Sequence, residues 1–382
     1  MEEEKMQKKW ISVLVLAVVA AILAGLYAAA HPGQEPAPET AEYMEYENAV
    51  VEQILSDSTE ADPVSEDHFR GNQSLILRVK TGQYAGQQMM ADNTVGPIYG
   101  SPLAVGDRVT VGLSTYADGT VRCYVYEYNR FPGLLLVLAA FLIVTVLVGG
   151  KVGLKSLVSL GLTVAALIFI LLPLLLKGWP TIPTTFLISV LVTAATFVIL
   201  GGVDKKTLCA CLGTLAGIGL ATAFGLMAQS WLRIDGYRQE YAEALLQLRQ
   251  TGESGIGITG LLTAGVIVSA LGAVMDVAMS ISSAIQELTR VNDSLTTKAL
   301  FKSGMNIGRD MVGTMTNTLI LAILGSGLTL VVYIYSLGLQ PWQLLSSPYM
   351  SLEAISAVAS SIGVMLAVPL TAGICAYVFG RK

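Results

Sequence analysis

The chain is built around a succession of apolar runs, each about as long as a bilayer is thick. A helix needs roughly 20 mostly apolar residues to cross the hydrocarbon layer. Runs of that kind fall at about 10–30, 132–150, 156–176, 184–202, 207–229, 257–280, 310–336 and 353–378. Hydrophobic residues make up 53% of the 382 positions and charged ones 13%, where a soluble chain carries about 25% charged. The expected class is an α-helical polytopic membrane protein of about eight spans, with the lipid bilayer as its first partner.

Lysines and arginines set the expected orientation. With both termini cytoplasmic, the inner segments hold Lys5, Lys8, Lys9, Lys151, Lys155, Lys205, Lys206, Arg290, Lys298, Lys302, Arg309, Arg381 and Lys382. The short outer loops hold only Lys177, Arg233, Arg238 and Arg249. Residues 31–131 then lie outside a bacterial cell membrane. The first run ends in Ala28-Ala29-Ala30, as a signal peptide would. Its length favours an uncleaved anchor over residues 1–30.

Residues 31–42 (HPGQEPAPETAE) read as a flexible Pro/Glu-rich tether. From 43 to 131 the pattern changes to short strand-like runs: EYENAVVEQIL, SLILRVKTG, GQQMMADNTV, GDRVTVGLST and VRCYVYEYNR. Asp118-Gly119 between the last two is a hairpin signal. Five short strands suit a small all-β domain, an OB-like barrel. Residues 31–131 carry 15 acidic and six basic residues, which disfavours nucleic acid. Tyr124, Tyr126 and Tyr128 alternate onto one face, expected to be packed or to line the barrel. Cys123 is alone in this segment and has no partner there for a disulfide. Cys209-x-Cys211 has no strong metal-ligand spacing, and His31 and His68 are far apart.

The remaining 132–382 would form a seven-helix membrane domain, most of it bland Leu, Val, Ala and Gly. The exceptions are the sixth and seventh spans. Gly265, Ser269, Gly272, Asp276, Ser280, Ser283 and Glu287 recur at spacings of three and four, one small and polar stripe. Asn306, Asp310, Gly313 or Thr314, and Asn317 repeat the arrangement. A charge at membrane depth is costly unless it is paired, hydrated or holds an ion. Two such stripes facing each other would enclose a hydrated site. Asp276 and Asp310 would be its ligands or proton-coupling groups, completed by Asn306, Asn317, Thr314 and Ser280. Met275, Met279, Met305, Met311 and Met315 crowd the same segments. A thioether such as Met279 beside carboxylates suits a divalent transition metal better than Mg²⁺ or Ca²⁺, although methionine also fills core gaps. The competing reading is structural: Arg309 as charge partner of Asp276 or Asp310, a buried pair that fixes helix register.

The connector 281–309 is expected to prolong the sixth helix through Leu288 and to break at Asn292-Asp293-Ser294. A short docked helix would follow, then a bend at Gly304 and Gly308. The outer loop 233–254 has helical spacing that places Tyr237, Tyr241, Ala244, Leu245 and Leu248 on one face. No G-x-x-x-x-G-K-[ST], H-E-x-x-H or G-x-S-x-G signature occurs. An enzyme is not expected, nor ATP-driven transport by this chain alone, and no cofactor is expected beyond a divalent metal ion as substrate.

The segments MDVAMSISSAIQEL (275–288) and GMNIGRDMVGTMTNTLILAILGSGL (304–328) resemble the signature segments of the YibE/F-like membrane proteins. The order of parts is similar too: a first span, an outer domain, then about seven spans. The matching positions include Asp276, Asn306, Arg309, Asp310, Thr314 and Asn317. The resemblance implies a multi-pass bacterial membrane protein and assigns no role to these residues. The expected function is a secondary transporter or permease for an inorganic ion, a divalent transition metal first, or a small solute. The alternative is a non-transporting scaffold, sensor or assembly factor whose outer domain recruits a partner. A second copy of the chain or another membrane protein is the macromolecular partner to expect.

Overall fold

The computed structural model describes residues 2–31, 43–65, 67–116, 120–239, 241–252 and 254–380. The expected tether (apart from His31), the Asp118-Gly119 turn and the last two basic residues lie outside them. The chain divides into two compact units, Gln34–Thr145 and Met1–Gly33 with Val146–Lys382.

The first unit is a closed barrel. Its strands are β1 (Tyr43–Asp57), the two-residue β2 (Glu60–Ala61), β3 (Phe69–Val79), β4 (Gln88–Val95), β5 (Arg108–Thr115) and β6 (Val121–Tyr128). The five long strands run β1-β5-β6-β4-β3, and β3 pairs back onto β1. All of these pairings are antiparallel except β4 with β6. Alternation puts Val51, Leu75, Leu77, Ala91, Val109, Val111 and Leu113 inside. Buried Gln73 ties the long β4–β5 loop to the barrel. Its amide donates to Asp57 and to the Leu103 carbonyl and accepts from Leu103 N–H and Asn93. On β6 the inward set is Val121, Cys123 and Val125. The tyrosine row therefore points outward, against expectation: Tyr126 and Tyr128 are exposed, and Tyr126 meets Tyr46 of β1 edge to face at 4.9 Å. Gly112 of β5 lies between Tyr46 and Tyr124 and leaves room for them, since a Cβ there would overlap the Tyr124 ring. Burial pushes the Cys123 thiol up to about 11.

Helices make up the rest: α1 (Glu2–Ala30), α2 (Phe131–Ala166), α3 (Leu172–Leu176), α4 (Thr181–Gly201), α5 (Lys205–Leu232), α6 (Ala242–Gln250), α7 (Leu261–Val291), α8 (Thr297–Ser326), α9 (Leu328–Ser336), α10 (Pro341–Leu345) and α11 (Pro348–Phe379). Among the described residues, six helical segments are long and apolar enough to cross a membrane, and a seventh if α8 and α9, bent by 61°, count as one. The two expected runs at 132–150 and 156–176 form one apolar segment, Phe131–Leu176. It is broken at Gly150, whose φ of 54° and ψ of −134° are not helical. A π turn, Leu167–Leu171, precedes Pro173, which has no N–H for the regular ladder.

The centre of the bundle is α11, packed on α5, α7 and α8. Glycines bring α5 and α11 close. A Cβ on Gly213 would overlap Thr371, and one on Gly217 would come within 2.8 Å of both Ala367 and Val274. Helix α1 packs into the same unit through Val19, Leu23 and Ala30, and Lys177 Nζ donates to the Ala29 carbonyl at 2.8 Å. In the loop 233–254 the helix begins only at Ala242, after Tyr241 in the left-handed region. Its packed face is accordingly Ala242, Leu245 and Leu246, while Tyr237, Tyr241, Ala244 and Leu248 are exposed.

Candidate functional site

Helix α7 has two unlike faces. Val266, Ile267, Ala270, Val274, Val277, Ala278, Ile281 and Ile285 are buried. Gly265, Gly272, Asp276, Ser280 and Glu287, at matching helical spacing, are exposed. Ser269 and Ser283 sit at the margin between the two. Ser269 shares a 2.6 Å hydrogen bond with Ser360 of α11. One helical turn from Ser282, Met279 is half-buried against the core, and Ser282 is itself buried 3.2 Å from the Cys375 sulfur.

Helix α8 differs from expectation in where it starts and how straight it runs. Thr296 caps it by accepting from Ala299 N–H, and one helix continues through Gly304 and Gly308. These glycines serve close approach and make no bend. A Cβ on Gly304 would come within 2.9 Å of Ala372 and Ile285, and one on Gly308 would overlap Val368 and come within 3.1 Å of Ile281. The break falls instead at Gly327, where Glu353 of α11 approaches: its carboxyl carbon lies 3.7 Å from the position a Cβ on Gly327 would take.

The α7–α8 junction is thus Ile281 and Ile285 against Gly304 and Gly308, and it is apolar. The polar stripe of α8, Asn306, Arg309, Asp310, Gly313, Thr314 and Asn317, is exposed. The two stripes lie on open faces of the unit, whereas the sequence reading had them enclosing a site between the two helices. Met305, Met311 and Met315 are half-buried and pack against the core.

Among the described residues, the side chains of Asp276, Asp310, Arg309, Asn306, Asn317 and Ser280 make no hydrogen bond or ion pair. Thr314 donates to the Met311 carbonyl at 3.0 Å. The expected alternative, Arg309 neutralising a carboxylate inside one chain, is therefore not formed. No three His, Cys, Asp or Glu side chains of the described residues come together as ligands for a metal ion.

A further polar set, chiefly of hydroxyls, was missed by the sequence reading. The hydroxyls of Thr193 (α4), Thr207 and Thr214 (α5), and Ser361 and Thr371 (α11) are buried without hydrogen-bond partners among the described residues. Gln229 donates to Thr263 at 2.6 Å, and Ser159 to Thr196 at 2.7 Å. On α4 the buried hydroxyl residues Thr181, Thr185, Ser189, Thr193 and Thr196 do recur at spacings of three and four, a signal that a search centred on carboxylates and amides passes over.

No curated protein and no solved structure matches the chain. A match to the family described as YibE/F-like protein covers residues 137–381, which include both polar stripes and leave out α1 and the barrel. The chain belongs to the YibE/F-like family.

Proposed function

We propose that the chain is a multi-pass membrane protein that moves an inorganic ion or a small solute along the polar face of α7 and α8. The observation that carries this reading is the state of Asp276 and Asp310. Both project from long apolar helices, both are exposed, and neither has a partner among the described residues. A charge left against hydrocarbon costs about 2.5–3.5 kcal/mol at a helix centre. A face that carries two such groups plus Asn306, Asn317, Thr314 and Ser280 is better suited to water or an ion than to lipid. A divalent transition metal is the first substrate to test. Carboxylates and amides supply oxygen ligands, with Met279 at the margin. The strand order and the parallel β4–β6 pair support an OB-type reading of the barrel, and α1 packed on the bundle supports an uncleaved first span. Both termini are assigned to the cytoplasm by the lysine and arginine distribution.

The test is ion uptake into proteoliposomes over a panel of divalent metals and small solutes. Uptake of at least one ion is expected, falling at least tenfold in Asp276→Asn and in Asp310→Asn. Absence of ion-dependent uptake under every condition would overturn the reading.

A second reading is favoured by one observation: the exposed tyrosines Tyr46, Tyr126 and Tyr128 on the barrel. Tyrosine is enriched in recognition surfaces, so the barrel would recruit a partner and the helices would anchor it. Loss of function on changing Tyr126 and Tyr128 to Ser, with Asp276→Asn silent, would favour this reading over transport.

A further inference from the structure

We infer that the open polar stripes of α7 and α8 belong to an interface, closed by a second copy of this chain about a two-fold axis.

The glycines supply the first argument. A Cβ on Gly304 or Gly308 would press on neighbouring side chains, whereas one on Gly265, Gly272 or Gly313 would meet nothing within 4 Å. Small residues on apolar helices let another helix approach closely. At these three positions that helix does not come from the described residues of the same chain.

Charge supplies the second, and it selects the occupant. The stripes carry Asp276 on α7 and Arg309 and Asp310 on α8, all exposed and all without partners among the described residues. A two-fold axis makes every contact twice, so the surface must complement itself. Arg309 of one copy set against a carboxylate of the other satisfies both copies by one repeated contact. Lipid tails offer nothing to either sign.

Extent is the third. From Gly313 to Ser336, through the outer half of α8 and all of α9, Ile334 is the one residue in the buried class. Met315 and Leu319 pack on the core from that length, but most of its surface is left uncovered by the described residues.

The pairing also completes the ligand set that a single chain lacks. Two copies bring four aspartates and two arginines, so two carboxylates remain when each Arg309 is neutralised. The residual formal charge of −2 matches a divalent cation held between the copies. This last step rests on the transport reading, whereas the pairing of copies does not.

The experiment counts copies in lipid. Full-length chain carrying one fluorophore is reconstituted at high lipid dilution, and bleaching steps are counted per particle. Two steps are expected for the wild type. Arg309→Asp should shift the population toward one step, lowering association at least tenfold. Mixing Arg309→Asp chains with Asp310→Arg chains should restore two-step particles. Should Arg309→Asp fail to fold, cysteine cross-linking decides the matter. Gly272→Cys and Gly313→Cys are made in a chain with Cys123 and Cys211 changed to Ser, and should yield cross-linked pairs. Leu212→Cys, exposed on α5, should not. Single-step wild-type particles, an unaltered Arg309→Asp population, or cross-linking only to a different protein in native membranes would overturn the inference. Uptake of Mn²⁺ or Zn²⁺ by single-step particles would overturn it and leave transport standing. Two-step particles with no uptake of any ion would do the reverse.

Discussion

The α5–α11 crossing and the α7–α8 outer face use glycine for opposite ends. At the crossing, Gly213, Gly217 and Gly363 are filled by neighbours, and the hydroxyls of Thr214, Ser361 and Thr371 lie buried among them. On the outer face, Gly265, Gly272 and Gly313 meet nothing, and the carboxylates, amides and guanidinium are exposed. Glycine content does not separate the two regions. What separates them is whether this chain supplies the opposing surface. The crossing is finished within the described residues and serves stability. The outer face is unfinished, and an unfinished polar face on an apolar helix is where a function has room.

The largest effect should come from filling the wrong kind of glycine. Gly308→Leu forces a side chain into Val368 and Ile281, and overpacking of that kind costs up to about 3 kcal/mol or more. A clear fall in the detergent unfolding midpoint is expected, and an unchanged midpoint would erase the contrast. Next comes a difference of sign. Gly308→Ala should destabilise, while Gly272→Ala should stabilise the single chain, separated from other copies in detergent, by up to about 1 kcal/mol, because an open helical glycine gains helix propensity on becoming alanine. Equal effects at the two sites would show that the outer face is packed after all. A smaller loss is expected from Ser269→Ala at the boundary between the regions. Removing its bond to Ser360 should cost about 0.6–1 kcal/mol, read from the same unfolding curves.

The smallest effect lies in the barrel, which belongs to the other compact unit, and serves as a control. Arg78 and Gln88 hydrogen-bond to Glu52 and hold its carboxyl below the usual range. A depressed folded value means stability that is present above the unfolded carboxylate pKa of about 4.3 and lost as pH falls through the folded value. Arg78→Ala should therefore lower β1–β3 amide protection at pH 7, and the gap to wild type should close in acid. A gap that widens in acid would contradict the assignment.

Much of this was legible in the residues. Run lengths located most of the apolar helices, and period-two alternation found all five long strands. Period-3.6 counting put Asp276, Ser280, Asn306, Asp310 and Asn317 on common faces. Periodicity says which residues share a face, however, and not which way the face looks. On an apolar helix the side turned to lipid and the side turned to protein are both hydrophobic, so a polar stripe was read inward when it lies outward. The same ambiguity misread Gly304 and Gly308 as a bend, since a glycine that permits bending and one that permits contact look alike in sequence. The tyrosine row on β6 was misread for a related reason: alternation fixes two faces, and only the opposing strands show that Cys123 and Val125 occupy the inside.

The central claim is that the carboxylates of the outer face serve function and contribute nothing to the fold. The most direct measurement is ion uptake together with the unfolding midpoint of the double variant Asp276→Asn, Asp310→Asn. Uptake should be lost while the midpoint of the solubilised chain stays at or slightly above that of the wild type, because two unpartnered charges have been removed. Undiminished uptake, or a midpoint that collapses along with it, would contradict the account.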